Sequence, residues 1–203
     1  MDEKRISYEI IDVAGDTNVM FRTSVDPGSY VPTHWHRAVE IIYMQEGELE
    51  VTVESRTFTI HADDCILVNG NVLHSTKCTA PNIAILLQIP LDFMEKYIPN
   101  LDQLMFLLDC HTTDPVKRTK QMMLKTILEQ LQIINDIRPD GYIMRFNGLI
   151  FELLFQLYHN FSVQVFQRDL SQKKKEMDRL NPVLTYIAQN YKRPIPLDEI
   201  AEV

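Results

Sequence analysis

The stretch that decides the fold begins at Gly28 and reads Gly28-Ser-Tyr-Val-Pro-Thr-His34-Trp-His36-Arg-Ala-Val-Glu40-Ile-Ile-Tyr-Met-Gln-Glu-Gly47. Side chains alternate between the two faces of a strand, so His34, His36 and Glu40 point to one face if the chain stays extended. Along such a strand the two histidines lie roughly 7 Å apart. Both imidazoles are therefore free to converge on one centre.

Further strand-like runs lie on both sides of this stretch. Residues 40–44 and 49–54 are predicted to form a hairpin around Gly47, where glycine can take a positive φ. The turn at 69–71 leads to His74, a fourth candidate ligand. The other predicted strands are 8–13, 19–25, 57–61, 65–68 and 82–89. Short strands separated by turn residues are typical of an antiparallel barrel or jelly roll.

The spacing of Gly28, His34-x-His36, Glu40 and Gly47 resembles the first cupin motif. The second cupin motif is matched in part. Its histidine position holds His74 and its aspartate position holds Asp64, whereas Asp63 stands where glycine is usual and Asn69 where proline is usual. Residues 28–98 are also similar to the effector-binding domain of AraC-type transcriptional regulators.

The resemblance implies a metal set of His34, His36, Glu40 and His74. Three imidazoles and one carboxylate suit a divalent transition ion such as zinc, nickel, iron or manganese. The alternative is a polar pocket without metal, in which these buried groups bond to a small ligand or to one another. The predicted ligand-binding residues are these same four groups together with three others on neighbouring strands: Arg22, Tyr30 and Met44.

Composition limits the function classes. The chain has 203 residues, 45% of them hydrophobic, with a net charge of −8. Such a charge argues against binding nucleic acid over a broad face of this chain. Its three cysteines are widely spaced, and the N-terminus has no signal-peptide pattern, so we expect a cytoplasmic protein that is not bound to a membrane.

The periodicity changes to helical after Pro90. Residues 101–108 are predicted to be helical, and a longer helix begins with Asp114 as N-cap and Pro115 at its first position. Its predicted apolar stripe is Met123, Ile127, Leu131 and Ile134, with Leu124 and Leu128 beside it. The next helix, 142–161, is apolar over most of its circumference and must be buried on two sides. We expect the sheet to cover one side and a second copy of the chain to cover the other, with Leu149, Leu153 and Leu157 at a homodimer interface. A helix enclosed within a monomer is the alternative.

The C-terminal tail resembles the opening of the AraC-type DNA-binding domain. The matching segments are Leu184-Thr-Tyr-Ile-Ala-Gln-Asn-Tyr191 and Ile195-Pro-Leu-Asp-Glu-Ile-Ala201. The helices that would enter the major groove lie beyond Val203, so operator DNA is expected to be bound only through the missing C-terminal domain. The predicted organisation is a mainly β, then α chain: a cupin-like barrel at 1–90, a helical dimerisation region at 91–166, a linker at 167–180 and the start of a helix-turn-helix domain at 181–203.

Two functions fit these observations. The first is the ligand-sensing and dimerisation portion of an AraC-type regulator, with a sugar-like metabolite as effector and no catalytic residues. The second is a metal-dependent cupin enzyme, such as a dioxygenase or isomerase, which would use the same four ligands. The helical extension and the tail favour the first, because a stand-alone enzyme needs neither.

Overall fold

Two facing β-sheets occupy the N-terminal part of the protein. The structure, a computed structural model, describes residues 6–13, 15–165, 183, 186–187, 190 and 193–201. The first nine strands are β1 Ser7–Tyr8, β2 Met20–Asp26, β3 Tyr30–Trp35, β4 Ala38–Glu46, β5 Glu48–Val53, β6 Arg56–His61, β7 Cys65–Val68, β8 His74–Lys77 and β9 Asn82–Pro90. One sheet has the order β1-β3-β8-β5-β6 and the other β2-β9-β4-β7.

The sheets stack in the manner of a jelly roll. Apolar residues of both sheets meet in one buried cluster that includes Ile42, Met44, Leu49, Val51 and Ile60. The two hydrogen-bonded ladders remain separate within the described residues, so of the two expected forms, barrel or jelly roll, the structure has the jelly-roll-like one. The mainly antiparallel β architecture followed by helices is confirmed.

Gly47 marks the point at which the chain crosses from one sheet to the other. β4 pairs with β7 and β9, whereas β5 pairs with β6 and β8, so the hairpin expected at this glycine is not formed. Gly47 has a φ of +79°, and a Cβ atom there would lie 2.8 Å from the carbonyl oxygen of Pro81. Only glycine accepts both that backbone conformation and that close approach.

β4 is buried on both faces, which explains its almost unbroken apolar sequence. Val39, Ile41 and Tyr43 belong to the core that the helices cover. Glu40 and Ile42 lie on the opposite face, toward the first sheet. The same alternation continues in β9, which pairs with β4 in the register Glu40↔Gln88. The second sheet therefore separates an apolar, helix-covered face from a face that carries polar groups.

The helical region begins directly after β9. Its elements are α1 Leu91–Met94, a 3₁₀ turn Leu101–Gln103, β10 Leu104–Phe106, α2 Pro115–Ile137, α3 Tyr142–Gln156, a π-helical turn Leu157–Phe161 and β11 Ser162–Gln164. The helix predicted at 101–108 is therefore wrong. The Asn69 side chain accepts from the Phe106 amide at 2.9 Å and donates to the Phe106 carbonyl at 2.8 Å, which holds this segment extended.

α2 starts where the sequence predicts. The Asp114 carboxylate accepts hydrogen bonds from the amides of Val116 and Lys117, and Pro115 occupies the first helical turn. The buried stripe is Gln121, Leu124, Ile127, Leu128 and Leu131. Ile127 and Leu131 of the predicted stripe and the flanking Leu124 and Leu128 are buried, whereas Met123 is 46% exposed, so the centre of the buried face lies toward Leu124 and Leu128.

α3 packs its apolar stripe inside the protomer. Leu149, Leu153 and Leu157, the predicted interface residues, are buried in the same core as α2 and the second sheet. Their side chains are at most 4% exposed, so they are not accessible to a second copy of the chain. The sheet and α2 together cover the side that the sequence assigned to a partner. The exposed apolar residues of α3 and the π-helical turn are instead Met144, Phe151, Phe155 and Tyr158.

Residues 164–203 form a separate compact unit. Within its described part, the Tyr186 hydroxyl donates to Glu199 at 2.6 Å and Arg193 donates to Glu199 at 2.7 Å. A short helix spans Leu197–Ala201, inside the second of the two tail segments singled out in the sequence. The linker predicted at 167–180 lies outside the described residues. None of the helices in the described ranges is both long and apolar enough to cross a membrane.

Candidate metal centre

The four predicted ligands converge from both sheets. His34 on β3 faces His74 on β8 in register, and Glu40 lies on β4 of the opposite sheet. His36 follows the end of β3 and precedes β4, so the single extended strand expected for 34–42 is divided between two sheets. All four residues are buried, with 1–7% of their surface exposed.

Backbone carbonyls fix the orientation of each imidazole. The Nδ1 atoms of His34, His36 and His74 lie 2.9, 3.1 and 2.9 Å from the carbonyl oxygens of Pro32, Ala38 and Val72. A carbonyl only accepts hydrogen bonds, so each Nδ1 carries the proton. Each neutral ring then presents its Nε2 lone pair, and the three rings can place these lone pairs as ligands around one point.

The Nε2 atoms face carboxylate oxygens. His36 Nε2 lies 3.2 Å from Glu40 Oε2, and His74 Nε2 lies 3.7 Å from Glu40 Oε1. Lone pairs that face lone pairs repel unless a proton or a cation lies between them. Ligands about 2.1 Å from a common ion lie roughly 3.0–3.5 Å apart at tetrahedral or octahedral angles. The donor set therefore fits a divalent ion.

The buried Nε2 of His74 supports the same conclusion. It has no hydrogen-bond partner among the described residues, and such an atom is costly in a protein interior. Burial lowers the pKa of His74, and the charge of Glu40 offsets this only in part. The ring therefore favours its neutral form, which leaves a lone pair available to a metal.

The Glu40 carboxyl is prepared to be charged. Burial raises its pKa, but the proximity of His36 and His74 and the amide of Gln88 outweigh burial, so the pKa lies below its ordinary value. An ionised carboxylate next to three imidazoles is the form that a metal ligand requires.

Gln88 is one of two residues at this centre that sequence reasoning missed. Its side-chain amide donates to Glu40 Oε2 at 2.7 Å and to Glu9 Oε2 at 3.1 Å. The alternation of β9 could have revealed it. Ile85, Leu87 and Ile89 lie in the helix-covered core, whereas Gln88 is a buried polar residue on the other face of the strand.

Glu9 is the second residue that sequence reasoning missed. It follows β1, and no motif or spacing indicated it. Its Oε2 atom lies 3.5 Å from His34 Nε2 and 3.9 Å from His36 Nε2. Pairing of β1 with β3 brings this carboxylate to the centre, and such pairing leaves no local signal in the sequence.

A cavity of about 340 Å³ opens beside the centre. Glu9, His34, Glu40 and Gln88 lie at one part of its wall, and the remaining lining is mixed polar and apolar: Arg22, Ser24, Val25, Asp26, Ser29, Val31, Ile42, Leu49, Thr76, Asn82, Ala84 and Leu86. Within the described part of the chain, Arg22 forms no ion pair, so its guanidinium is available to a ligand.

Two other predicted ligand-binding residues do not line this cavity. Tyr30 is 61% exposed, and Met44 is fully buried in the apolar cluster between the sheets. Both lie on strands near the histidines, but the directions of their side chains keep them from lining the cavity. Trp35 packs on Tyr8 with ring centroids 4.7 Å apart.

The departures from the second cupin motif have structural explanations. Asp63 takes a φ of +73°, a conformation that glycine adopts more readily. The Asp64 carboxylate accepts from the His61 amide at 2.8 Å and stabilises the same turn. Asn69 binds both backbone groups of Phe106, a role for which proline has no donor.

Residues 21–90 match the family model of the cupin domain. The cupin-like fold that the histidine spacing indicated is thus confirmed for this part of the chain.

A curated relative extends the likeness beyond the cupin region. The chain is 24% identical over 200 residues to the uncharacterized HTH-type transcriptional regulator YdiP of Escherichia coli strain K12. The match covers 96% of this chain and 64% of that protein, so the chain spans less than two thirds of the relative's length. The family match supports a cupin domain, and this comparison adds a distant likeness to a transcriptional regulator.

Solved structures resemble the chain over shorter segments. An RmlC-like cupin from Shewanella frigidimarina is 27% identical, covering 40% of this chain and 83% of its own, with a TM-score of 0.34. KdgF from Halomonas sp. is 23% identical, covering 38% of this chain and 75% of its own, with a TM-score of 0.35.

Proposed function

We propose that this chain is the ligand-sensing portion of an AraC-type transcriptional regulator, with a divalent metal centre in its cupin-like cavity. One observation carries the proposal. Three buried imidazoles and a carboxylate converge beside a cavity whose wall includes His34 and Glu40, in a chain that matches an HTH-type regulator along 96% of its own length. DNA binding belongs to the part of the protein that would follow residue 203.

His34, His36, His74 and Glu40 would hold the ion. A bound divalent ion would supply a Lewis-acidic position facing the cavity, to which an oxygen atom of a small molecule can bind. The carbonyls of Pro32, Ala38 and Val72 keep the imidazoles in the correct tautomer. Zinc, nickel, iron and manganese all accept such ligands.

The proposed effector is a sugar-like metabolite or a related small polar anion. Ser24, Thr76 and Asn82 offer hydrogen-bonding groups along the cavity wall, and Arg22 offers a positive charge. Ile42 and Leu86 provide apolar contacts. A sensor must also bind this effector with different affinity in two arrangements of the protein, because equal affinity would shift no population.

We also propose that the chain forms a homodimer, through a surface other than the predicted one. Phe151, Phe155 and Tyr158 are each more than 40% exposed on one side of α3 and the π-helical turn. Large exposed aromatic side chains are common at protein interfaces. The variant Phe151→Glu/Phe155→Glu should sediment as a monomer, and Val25→Glu, on the exposed part of β2, is the control. Unchanged sedimentation of the double variant would reject this surface.

A metal-dependent cupin enzyme is the second candidate, and the complete donor set supports it. One assay distinguishes a ligand-sensing regulator from an enzyme. Metal-loaded protein is screened for small molecules that raise its melting temperature, and each bound compound is then recovered and analysed by chromatography and mass spectrometry, so that an isomer is also detected. A sensor returns the compound unchanged, whereas an enzyme converts it.

The metal and the DNA-binding portion have independent tests. Elemental mass spectrometry of protein purified without a histidine tag measures the bound metal, and absence of metal with no uptake on titration would reject the metal centre. The coding frame after Val203 is expected to encode further helix-turn-helix units. A stop codon at that point would reject the regulator and favour the enzyme.

A further inference from the structure

Glu9 reaches the metal centre from the N-terminal edge of the first sheet. β1 pairs in parallel with β3 in the register Ser7↔His34 and Tyr8↔Trp35. The Glu9 amide then donates to the Trp35 carbonyl at 3.0 Å, which continues this pairing by one residue. The N-terminal segment, defined here as residues 6–13, is thus placed beside the two histidines of the first motif.

The Glu9 carboxylate has the position of a ligand. Its Oε2 atom is 3.5 Å from His34 Nε2, and one oxygen of Glu9, one of Glu40 and a nitrogen of His36 all lie within 4.8 Å of one another. Gln88 donates to Oε2 of both carboxylates, at 2.7 Å for Glu40 and 3.1 Å for Glu9. One buried amide therefore positions both oxygens at the same centre.

The charges at this centre call for a cation. Two carboxylates converge on imidazole lone pairs, and within the described ranges neither carboxylate forms an ion pair with lysine or arginine. The amide of Gln88 holds an oxygen of each carboxylate at this centre, and a divalent ion there would attract both. Like charges brought this close without a cation would repel.

We propose that Glu9 is a fifth protein ligand of the ion held by His34, His36, His74 and Glu40. This inference rests on the metal centre proposed above. Three nitrogens and two carboxylate oxygens fit a five- or six-coordinate ion such as iron or manganese better than tetrahedral zinc.

Coordination by Glu9 would link metal binding to the position of the N-terminal segment. Few other contacts hold this segment, because β1 has only two paired residues and Ile6 and Ile10 are more than half exposed. If the ion binds more tightly when the N-terminal segment lies against the centre, metal binding shifts the segment toward that position. Glu9 also lines the cavity, so the docked segment forms part of the ligand site.

The test compares Glu9→Gln with Asp12→Asn in the 203-residue chain. Both variants remove one negative charge from the same segment, and Asp12 is exposed. Metal-free protein is titrated with Mn²⁺ and Co²⁺. Binding is followed by calorimetry and by the emission of Trp35, the single tryptophan of the chain, which packs on Tyr8.

Glu9→Gln should weaken metal binding by at least about 10- to 100-fold, the range typical for losing even an outer-sphere partner. Its visible Co²⁺ spectrum should change because one ligand is lost. In the wild type and in Asp12→Asn, metal should also slow hydrogen exchange of residues 6–13. Glu9→Gln should lose this protection.

Three possible results distinguish the proposal that Glu9 is a ligand from the proposal of the four-residue metal centre. If the wild type binds metal and Glu9→Gln alone shows these losses, Glu9 is a ligand. If Glu9→Gln binds metal with unchanged affinity, Co²⁺ spectrum and segment protection, the role of Glu9 is rejected while the four-residue centre stands. If the wild type binds neither Mn²⁺ nor Co²⁺, the centre itself fails, and the role of Glu9 fails with it.

Discussion

The two faces of the β4–β9 pair differ in chemistry although they share one backbone ladder. On one face, Ile41 and Leu87 pack against α2 and α3 in the main core. On the other, Glu40 and Gln88 are also buried but form hydrogen bonds at the candidate metal centre. Burial alone therefore does not reveal the role of a strand residue. The layer that covers each face decides whether the residue stabilises the fold or the site.

The largest effect is expected on the apolar face. Leu87→Ala removes a fully buried side chain and should lower the free energy of unfolding by about 2–5 kcal/mol. Metal affinity of the folded variant should stay unchanged, since Leu87 faces away from the centre. Urea denaturation in EDTA measures the first quantity and calorimetry the second. Val25→Ala, at a 73% exposed position of β2, is the control and should change stability by less than about 0.5 kcal/mol.

Glu40→Gln should show the opposite pattern on the polar face. We expect metal affinity to fall by more than about 100-fold, beyond the usual loss for an outer-sphere partner. The metal-free protein should lose less stability than Leu87→Ala does, because a glutamine oxygen can still accept from Gln88 and its amide can donate to His36 Nε2. A large loss of stability in EDTA would show that Glu40 is a structural residue and not a ligand.

Gln88→Leu should have a smaller effect on the same face. Gln88 contacts the two carboxylates but is not itself placed as a ligand, so metal affinity should fall by roughly 10-fold. Calorimetric titration of the variant beside Glu40→Gln tests the order of the two effects. A greater loss for Gln88→Leu than for Glu40→Gln would reverse the assigned roles.

The smallest effect concerns cysteine reactivity. Cys65 lies in the helix-covered core, where burial raises its pKa to about 12. Only about one molecule in 10⁴ would then carry the reactive thiolate at pH 8. Native protein treated with iodoacetamide should be modified first at the partly exposed Cys110, as measured by peptide mass spectrometry. In guanidinium chloride all three cysteines should react, and rapid labelling of Cys65 in the native protein would contradict its assigned burial.

The features that depend on local spacing were predictable from the sequence. The spacing of the first motif grouped His34, His36 and Glu40, although the single strand assumed for them is divided between two sheets, and the turn at 69–71 led to His74. Capping chemistry located the start of α2 at Asp114. These signals survive in the folded protein because alternation, turn conformation and helix capping each involve only a few neighbouring residues.

The predictions that failed depended on which segments meet. The stripe of α3 was correctly described as apolar on a wide arc, but Leu149, Leu153 and Leu157 pack into the protomer's own core. The hairpin at Gly47 failed for a related reason, because β5 pairs with the distant β8 as well as with β6. Hydrophobic periodicity shows that a face is buried and does not show what buries it.

Local sequence was enough to establish the jelly-roll-like class of the fold, the three histidines and Glu40 as one candidate set, and the helical character of the region after Pro90. Tertiary structure placed Glu9 and Gln88 at the centre, kept Tyr30 and Met44 away from the cavity, and enclosed α3 within the protomer. The physical reason is how far apart in the sequence the interacting residues lie. Spacing fixes which side chains share a face, whereas contacts between residues as far apart as Glu9 and Gln88 exist only after the sheets have paired and stacked.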